Sequence, residues 1–213
     1  MSNLRIAFLV SGNGTLFEHL TVKMREGAIN AVPALLISSH ASTTAIERAR
    51  RLDVPCVVLR REDHDTEEKY CCALLETLDQ HGVNFICLAG YLKLVPHSVV
   101  ERFRHRMLNI HPALLPAFGG KGMYGRRVFE AAIEYGVRIH GATVHLVDDE
   151  YDHGPVVLQR AIFVAPDDTP DTLQTRVHSI EYDLYADAVK LFADDRVQID
   201  GRRVHLLPAK SHK

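Results

Sequence analysis

The sequence predicts an α/β fold: an open, mostly parallel, twisted sheet, extended at its C-terminal end by antiparallel strands. Three observations predict it. Short apolar runs of strand length alternate with segments of helical periodicity as far as Ile110, the pattern of parallel strands covered by helices. The first run is followed at once by a glycine turn and an amphipathic segment, the opening of a mononucleotide-binding unit. Beyond Pro112 the pattern changes to two alternating runs on either side of an acidic segment, the mark of an antiparallel pair.

Taken in order, Leu4–Val10 (LRIAFLV) is a buried strand and Ser11-Gly12-Asn13-Gly14-Thr15 a turn. Leu16, Phe17, Leu20 and Met24 then recur at helical spacing to about Gly27. Val32–Ser38 is the second strand, Thr43–Leu52 a helix and Cys56–Leu59 a short third strand. Asp65–His81 is a long amphipathic helix whose acidic opening suits its positive end. Phe85–Ala89, the short helix Val99–Phe103 and the strand Met107–Ile110 complete this half. Next come the glycine-rich Phe118–Gly125 and a helix Arg126–Tyr135 with Gly136 as its C-cap. The runs Arg138–Val147 and Val156–Val164 flank Asp148–Pro155. Thr169-Pro170-Asp171 opens a helix that reaches Phe192, with an N-cap and a proline at its first position. Val197–Ile199 and Val204–Leu206 bracket Asp200-Gly201, a hairpin expected to be peripheral. No repeat or linker interrupts the chain, so one domain is expected over residues 1–213, with halves at 1–105 and 106–213.

Composition narrows the function. The 213 residues are 46% hydrophobic and 24% charged, ordinary for a globular protein with a sizeable core. A net charge of −2 argues against a general nucleic-acid surface, and no apolar run approaches the ~20 residues that cross a bilayer. The expected partners are therefore small molecules, with no nucleic acid and no membrane. None of the thirteen histidines or of Cys56, Cys71, Cys72 and Cys87 shows a metal-binding spacing. Cys56 and Cys87 read as small core residues. Without a signal peptide the thiols are expected to be reduced, in the cytoplasm.

Several stretches can carry chemistry. In a strand, residues two apart share a face, so Asn109 and His111 point the same way while Ile110 packs opposite. Pro112, with no backbone donor, ends the strand. A carboxamide beside an imidazole suits polarising a carbonyl and moving a proton; two satisfied polar residues at a strand exit is the plain alternative. The right-handed crossover rule puts C-terminal strand ends on one edge, where open α/β sheets bind ligands. The turn at residues 11–15, the loop at Gly90-Tyr91 and the Asn109/His111 pair all fall at such ends. The 11–15 turn has no GxxxxGK[ST] and lacks the third glycine of GxGxxG, since Phe17 holds that place. A single phosphate, cradled by backbone amides at a helix start, fits better than a dinucleotide; an empty tight turn is the other possibility. Asp148-Asp149-Glu150-Tyr151-Asp152 reads as a solvated loop, unless Asp152 is held near His111, where it would raise the imidazole's pKa and orient it. Glu181 alone reads as a surface acid. Gly119, Gly120, Gly122 and Gly125 with Lys121 suit a flexible loop or lid, or an anion cradle.

SGNGT (11–15), LAGYLKLV (88–95), NIHPALLPAF (109–118), GATVHLVDDEYDHGPV (141–156) and the helix bearing Glu181 together resemble the folate-dependent phosphoribosylglycinamide formyltransferases. The resemblance spans roughly residues 4–192 and implies a Rossmann-like formyltransferase fold. It implies formyl transfer from 10-formyltetrahydrofolate, as co-substrate and with no metal, to the amine of a glycinamide ribonucleotide in purine synthesis. The catalytic positions it implies are Asn109, His111 and Asp152. The ribonucleotide phosphate would lie on Gly14, Thr15 and Leu16, and Glu181 would contact the ribose. The pteridine would lie against backbone of Leu92, Lys93, Leu94 and Val95 and of Asp148, Asp149, Glu150, Tyr151 and Asp152. A monomer or homodimer is implied.

Three positions depart from the family pattern. Leu16 stands where the family usually has Asn, which removes a side-chain contact to phosphate but leaves the backbone amide. Glu67 stands where some members have Arg near the folate's glutamate tail, with Lys69 or Arg61 as substitutes. His153 replaces Gly after Asp152. Among relatives of the same chemistry, a tRNA formyltransferase would carry a further basic domain, a deformylase an N-terminal regulatory module and a UDP-sugar formyltransferase an extension of the core. A non-catalytic nucleotide-binding protein on the same scaffold is the rival from another class.

Overall fold

The computed structural model describes residues 4–209. The chain divides into two compact units, one ending at Leu108 and the other starting at Asn109.

In the first unit, β1 (Leu4–Val10) pairs in parallel with β2 (Ala31–Ser38) on one side and β4 (Phe85–Leu88) on the other, and β2 pairs in parallel with β3 (Cys56–Val58). Ile6, Phe8, Leu9 and Val10 are fully buried, as unbroken apolar runs in a covered parallel sheet require. Pro33 lies inside β2, yet β3 pairs only with Leu36–Ser38 and the β1–β2 register slips between Ile6 and Ala7. Pro33 thus faces Ile6 at the brink of a register slip on one side and no strand on the other, a position where a residue without an N–H is tolerated. Helix α1 (Thr15–Arg25) buries Phe17, Leu20 and Met24, and Phe17 meets Phe8 edge-on at 5.0 Å. Helix α2 is Thr44–Arg51. Helix α3 (Glu67–Gln80) is capped by Thr66, which accepts from the Lys69 amide at 3.3 Å. Helix α4 (His97–Arg102) leads to β5 (Met107–His111). Cys87 is buried as expected, but Cys56 is half-buried, because the three-residue β3 ends the sheet.

β5 begins in the first unit and ends in the second. In the second unit, α5 (Arg126–Tyr135) ends at Gly136 with φ of 78°, the left-handed C-cap the sequence calls for. β6 (Ile139–Leu146) and β7 (Val156–Phe163) are antiparallel. Helix α6 (Pro170–Ala193) carries a full capping box between Thr169 and Thr172. A hairpin of β8 (Val197–Asp200) and β9 (Arg203–Leu206) follows. The sheet's strand order is β3-β2-β1-β4-β5-β6-β7, mostly parallel with an antiparallel end. Among the described residues no helix is long and apolar enough to cross a membrane.

Candidate active site

β5 delivers Asn109, half-buried, and His111, 4% exposed, at its C-terminal end. The next segment is fastened to β6 by Thr143, whose buried hydroxyl donates to the Ala113 carbonyl at 2.6 Å and accepts from the Leu115 amide at 3.0 Å. The β6–β7 connection brings back Asp152. Its backbone is left-handed, with φ of 53°, a conformation that costs an L-residue energy and is kept only where neighbours impose it. One constraint is Gly154, where a Cβ would lie 1.8 Å from the Leu146 carbonyl oxygen, so no other residue lets the chain pass there.

Asp152 is the hub of the cluster. Its Oδ2 accepts from the Gly120 amide at 3.0 Å and lies 3.3 Å from His111 Nδ1. Its Oδ1 accepts from Asn109 Nδ2 at 3.4 Å and lies 3.7 Å from His145 Nε2. The Asn109 amide also donates to His145 Nε2 at 3.1 Å, while His145 Nδ1–H donates to the Leu146 carbonyl at 2.8 Å. His111 Nε2–H donates to the Phe118 carbonyl at 2.8 Å. Both ring nitrogens of His111 thus face acceptors, a setting that can hold an imidazolium once a proton arrives.

The electrostatics correct one expectation. Asp152 does pull the His111 pKa up, but burial is the larger influence and leaves it below the ordinary histidine value. Burial thus favours the neutral imidazole more than an exposed histidine would, whereas the sequence alone suggests a raised pKa. For Asp152, burial is the largest single influence and pushes the carboxyl up. His145, His111 and the Gly120 amide together outweigh it and keep the group below the usual carboxylate range.

Asn109, His111 and Asp152 are thus brought together, and His145 joins them. Sequence reasoning missed His145, although its position resembles that of His111, at the C-terminal end of an apolar strand just before a loop. The glycine run also differs from a free loop or lid at its start. Gly119 packs against Leu115 and Asp152, with its absent Cβ 3.3 Å from that of Asp152, and Gly120 supplies the amide donor. Of the acidic loop, Asp148 accepts from the Glu150 amide at 3.1 Å and from His153 Nδ1–H at 2.7 Å, while Glu150 and Tyr151 are exposed. Glu181 lies outside this network. It is 7% exposed rather than a surface acid, its Oε2 3.5 Å from His178 Nε2, and burial raises its pKa to about 8.

The remaining candidates belong to the first unit. Gly14 precedes α1 with φ of 70°, and a Cβ there would come 2.6 Å from that of Ala45. Thr15 is exposed and Leu16 half-buried at the helix start. Arg48 Nε donates to the Asn13 carbonyl at 3.0 Å and steadies the turn. Ser11 Oγ accepts from the Leu92 amide at 3.1 Å, so the glycine turn and the Leu92–Val95 segment share an anchor. Leu92, Lys93 and Leu94 are exposed and Val95 is buried. The two cations considered for Glu67's position are both engaged: Arg61 pairs with Glu67 itself, and Lys69 with Asp65.

A mostly parallel α/β sheet that brings a carboxamide, an imidazole and a carboxylate together suits the polarisation of a carbonyl and the movement of a proton that group transfer needs. Residues 4–189 match the family model described as formyl transferase, and the chain belongs to that family. The phosphoribosylglycinamide formyltransferase of Bacillus subtilis is 33% identical over 87% of this chain and 93% of its own length. The chloroplastic one of Arabidopsis thaliana is 38% identical over 91% of this chain and 67% of its own. Glycinamide ribonucleotide transformylase 1 from Symbiobacterium toebii superposes with a TM-score of 0.90 at 39% identity, covering 97% of this chain and 95% of that one. A phosphoribosylglycinamide formyltransferase from Coxiella burnetii gives a TM-score of 0.88 at 32% identity, over 96% and 94%.

Proposed function

We propose that this protein transfers the formyl group of 10-formyltetrahydrofolate to the amine of N1-(5-phospho-D-ribosyl)glycinamide, in de novo purine (IMP) biosynthesis in the cytoplasm, as a monomer or homodimer. The observation that carries this reading is one carboxylate, Asp152, facing His111 through one oxygen and Asn109 through the other. The substrate amine attacks the formyl carbon; a C–N bond forms and the carbonyl electron pair moves to oxygen. Asn109 turns one of its two amide hydrogens from its present acceptor, His145 or Asp152, to that oxygen. His111 takes up the proton the amine releases, and the ionised Asp152 stabilises the imidazolium. As the bond from carbon to N10 breaks, the proton goes to N10. A buried, neutral histidine suits this cycle better than a permanently charged one, because it must accept before it donates.

Gly14, Thr15 and Leu16 offer backbone amides to the phosphate at the start of α1, and Glu181 takes a ribose hydroxyl. Leu92–Val95 and Asp148–Asp152 offer backbone to the pteridine. The test is absorbance-monitored turnover of 10-formyltetrahydrofolate with and without the ribonucleotide. Turnover that depends on the ribonucleotide is expected. Release of formate without it would make the protein a deformylase, and ribonucleotide binding without turnover would make it a binding protein.

A further inference from the structure

The C-terminal hairpin, which the sequence marks as peripheral, reaches the loop that carries Asp152. We propose that Arg202, at the hairpin's turn, is a positioning residue for Asp152, an inference that rests on the role given to Asp152 above. Arg202 Nη2 donates to the His153 carbonyl at 2.6 Å, on the residue next to Asp152. Its Nη1 lies 3.4 Å from His153 Nε2, and His153 Nδ1–H donates onward to Asp148 Oδ2 at 2.7 Å. One guanidinium therefore holds the loop by its backbone just past Asp152 and, through the imidazole, by its first acid. The neutral Nδ1–H form of His153 satisfies both contacts.

The brace has something to hold. Asp152 sits in a left-handed backbone, which persists only where its surroundings impose it. Gly154 fixes the exit of the loop against β6, and the Arg202 contact stands between that fixed point and Asp152. The hairpin is itself a firm mount: β8 and β9 pair from Val197–Leu206 to Asp200–Arg203. Its base is closed by Leu207 N–H donating to the Arg196 carbonyl at 2.9 Å and Arg196 Nε–H to the Leu207 carbonyl at 2.8 Å. His153 is the residue that lets the imidazole arm of this link exist.

The experiment compares Arg202→Ala, Arg202→Lys and, as a control that removes the adjacent guanidinium, Arg203→Ala. Hydrogen exchange over residues 147–156 is followed by mass spectrometry alongside steady-state kinetics and the pH–rate profile. Loss of a charge-assisted hydrogen bond is expected to speed exchange of that segment about tenfold or more in Arg202→Ala, with β5 unchanged. kcat is expected to fall about tenfold, the ribonucleotide KM to stay within about twofold, and the pH profile to shift. Lysine, which can still donate to the carbonyl, restores most of the protection, and Arg203→Ala behaves as wild type. Exchange and kcat in Arg202→Ala that match Arg203→Ala would overturn the proposal. So would faster exchange with kcat and pH profile unaltered, or losses spread evenly over the whole second unit. A wild-type protein that transfers no formyl group would sink the functional reading instead, and the exchange data would still decide whether Arg202 braces the loop.

Discussion

Replacing Glu181 with glutamine measures what burying a carboxyl inside α6 does to the fold. Burial raises its pKa from the ordinary 4.5 to about 8. The unfolded chain returns the group to its ordinary value, so between these limits the folded state holds a proton that the unfolded state has lost. The stability this gives is complete at low pH and is lost as pH rises through the window, by about 1.4 kcal/mol per pH unit. The loss amounts to about 3 kcal/mol at pH 7 and about 5 kcal/mol once the buried group itself ionises. Glutamine has the shape of the protonated acid and no charge to desolvate, so Glu181→Gln should match wild type at acid pH and exceed it by about 3 kcal/mol at neutral pH. Urea denaturation of both proteins at about pH 5, 7 and 9 reads the difference directly, because every other titrating group cancels. A difference that stays constant across this range would refute the reasoning; it would mean that the carboxylate is ionised in the fold, paired with a charged His178 across their 3.5 Å contact.

Other predictions follow from the cluster and the turn. Asp152→Asn should lower kcat about a hundredfold or more with little change in ribonucleotide KM; an unchanged rate and pH profile would end the Asp–His pairing. An NMR titration of His111 should give a midpoint below the ordinary 6.5, so the stability tied to its neutral form is present above that value and lost as pH falls through the folded-state midpoint. The same titration in Asp152→Asn should move the midpoint lower still, since the group that opposes burial has lost its charge. Gly14→Ala forces a Cβ to 2.6 Å from that of Ala45 at a positive φ. It should cost about 1–3 kcal/mol in chemical denaturation and raise the ribonucleotide KM.

The strands and helices were legible because apolar period and turn chemistry agree along the chain: β1, the glycine turn and α1 announce one another, and Thr169-Pro170 announces α6. The contact between His111 and Asp152, 41 residues on, was not, because a run of acids reads as a solvated loop until its course in space is known. The same holds for Arg202 and His153, 49 residues apart.

The misreadings at Glu181 and His111 share a cause. Sequence reasoning assigns a polar side chain to water, whereas here burial decides: it outweighs Asp152 at His111 and is the cause of the shift at Glu181. Yet burial itself left a trace. Leu173, Val177, Leu184 and Ala188 form the apolar stripe of α6, and Glu181 occupies a place on that stripe, four residues after Val177. His145 lies at the buried end of β6, in a strand whose residues from His140 to Leu146 are all buried. A titratable group at a position whose periodicity demands an apolar one must be neutralised, paired or used, since an idle buried charge would cost the fold several kilocalories. Periodicity thus points to the candidate site residues as well as to the core, provided the exceptions to the pattern are read as signals.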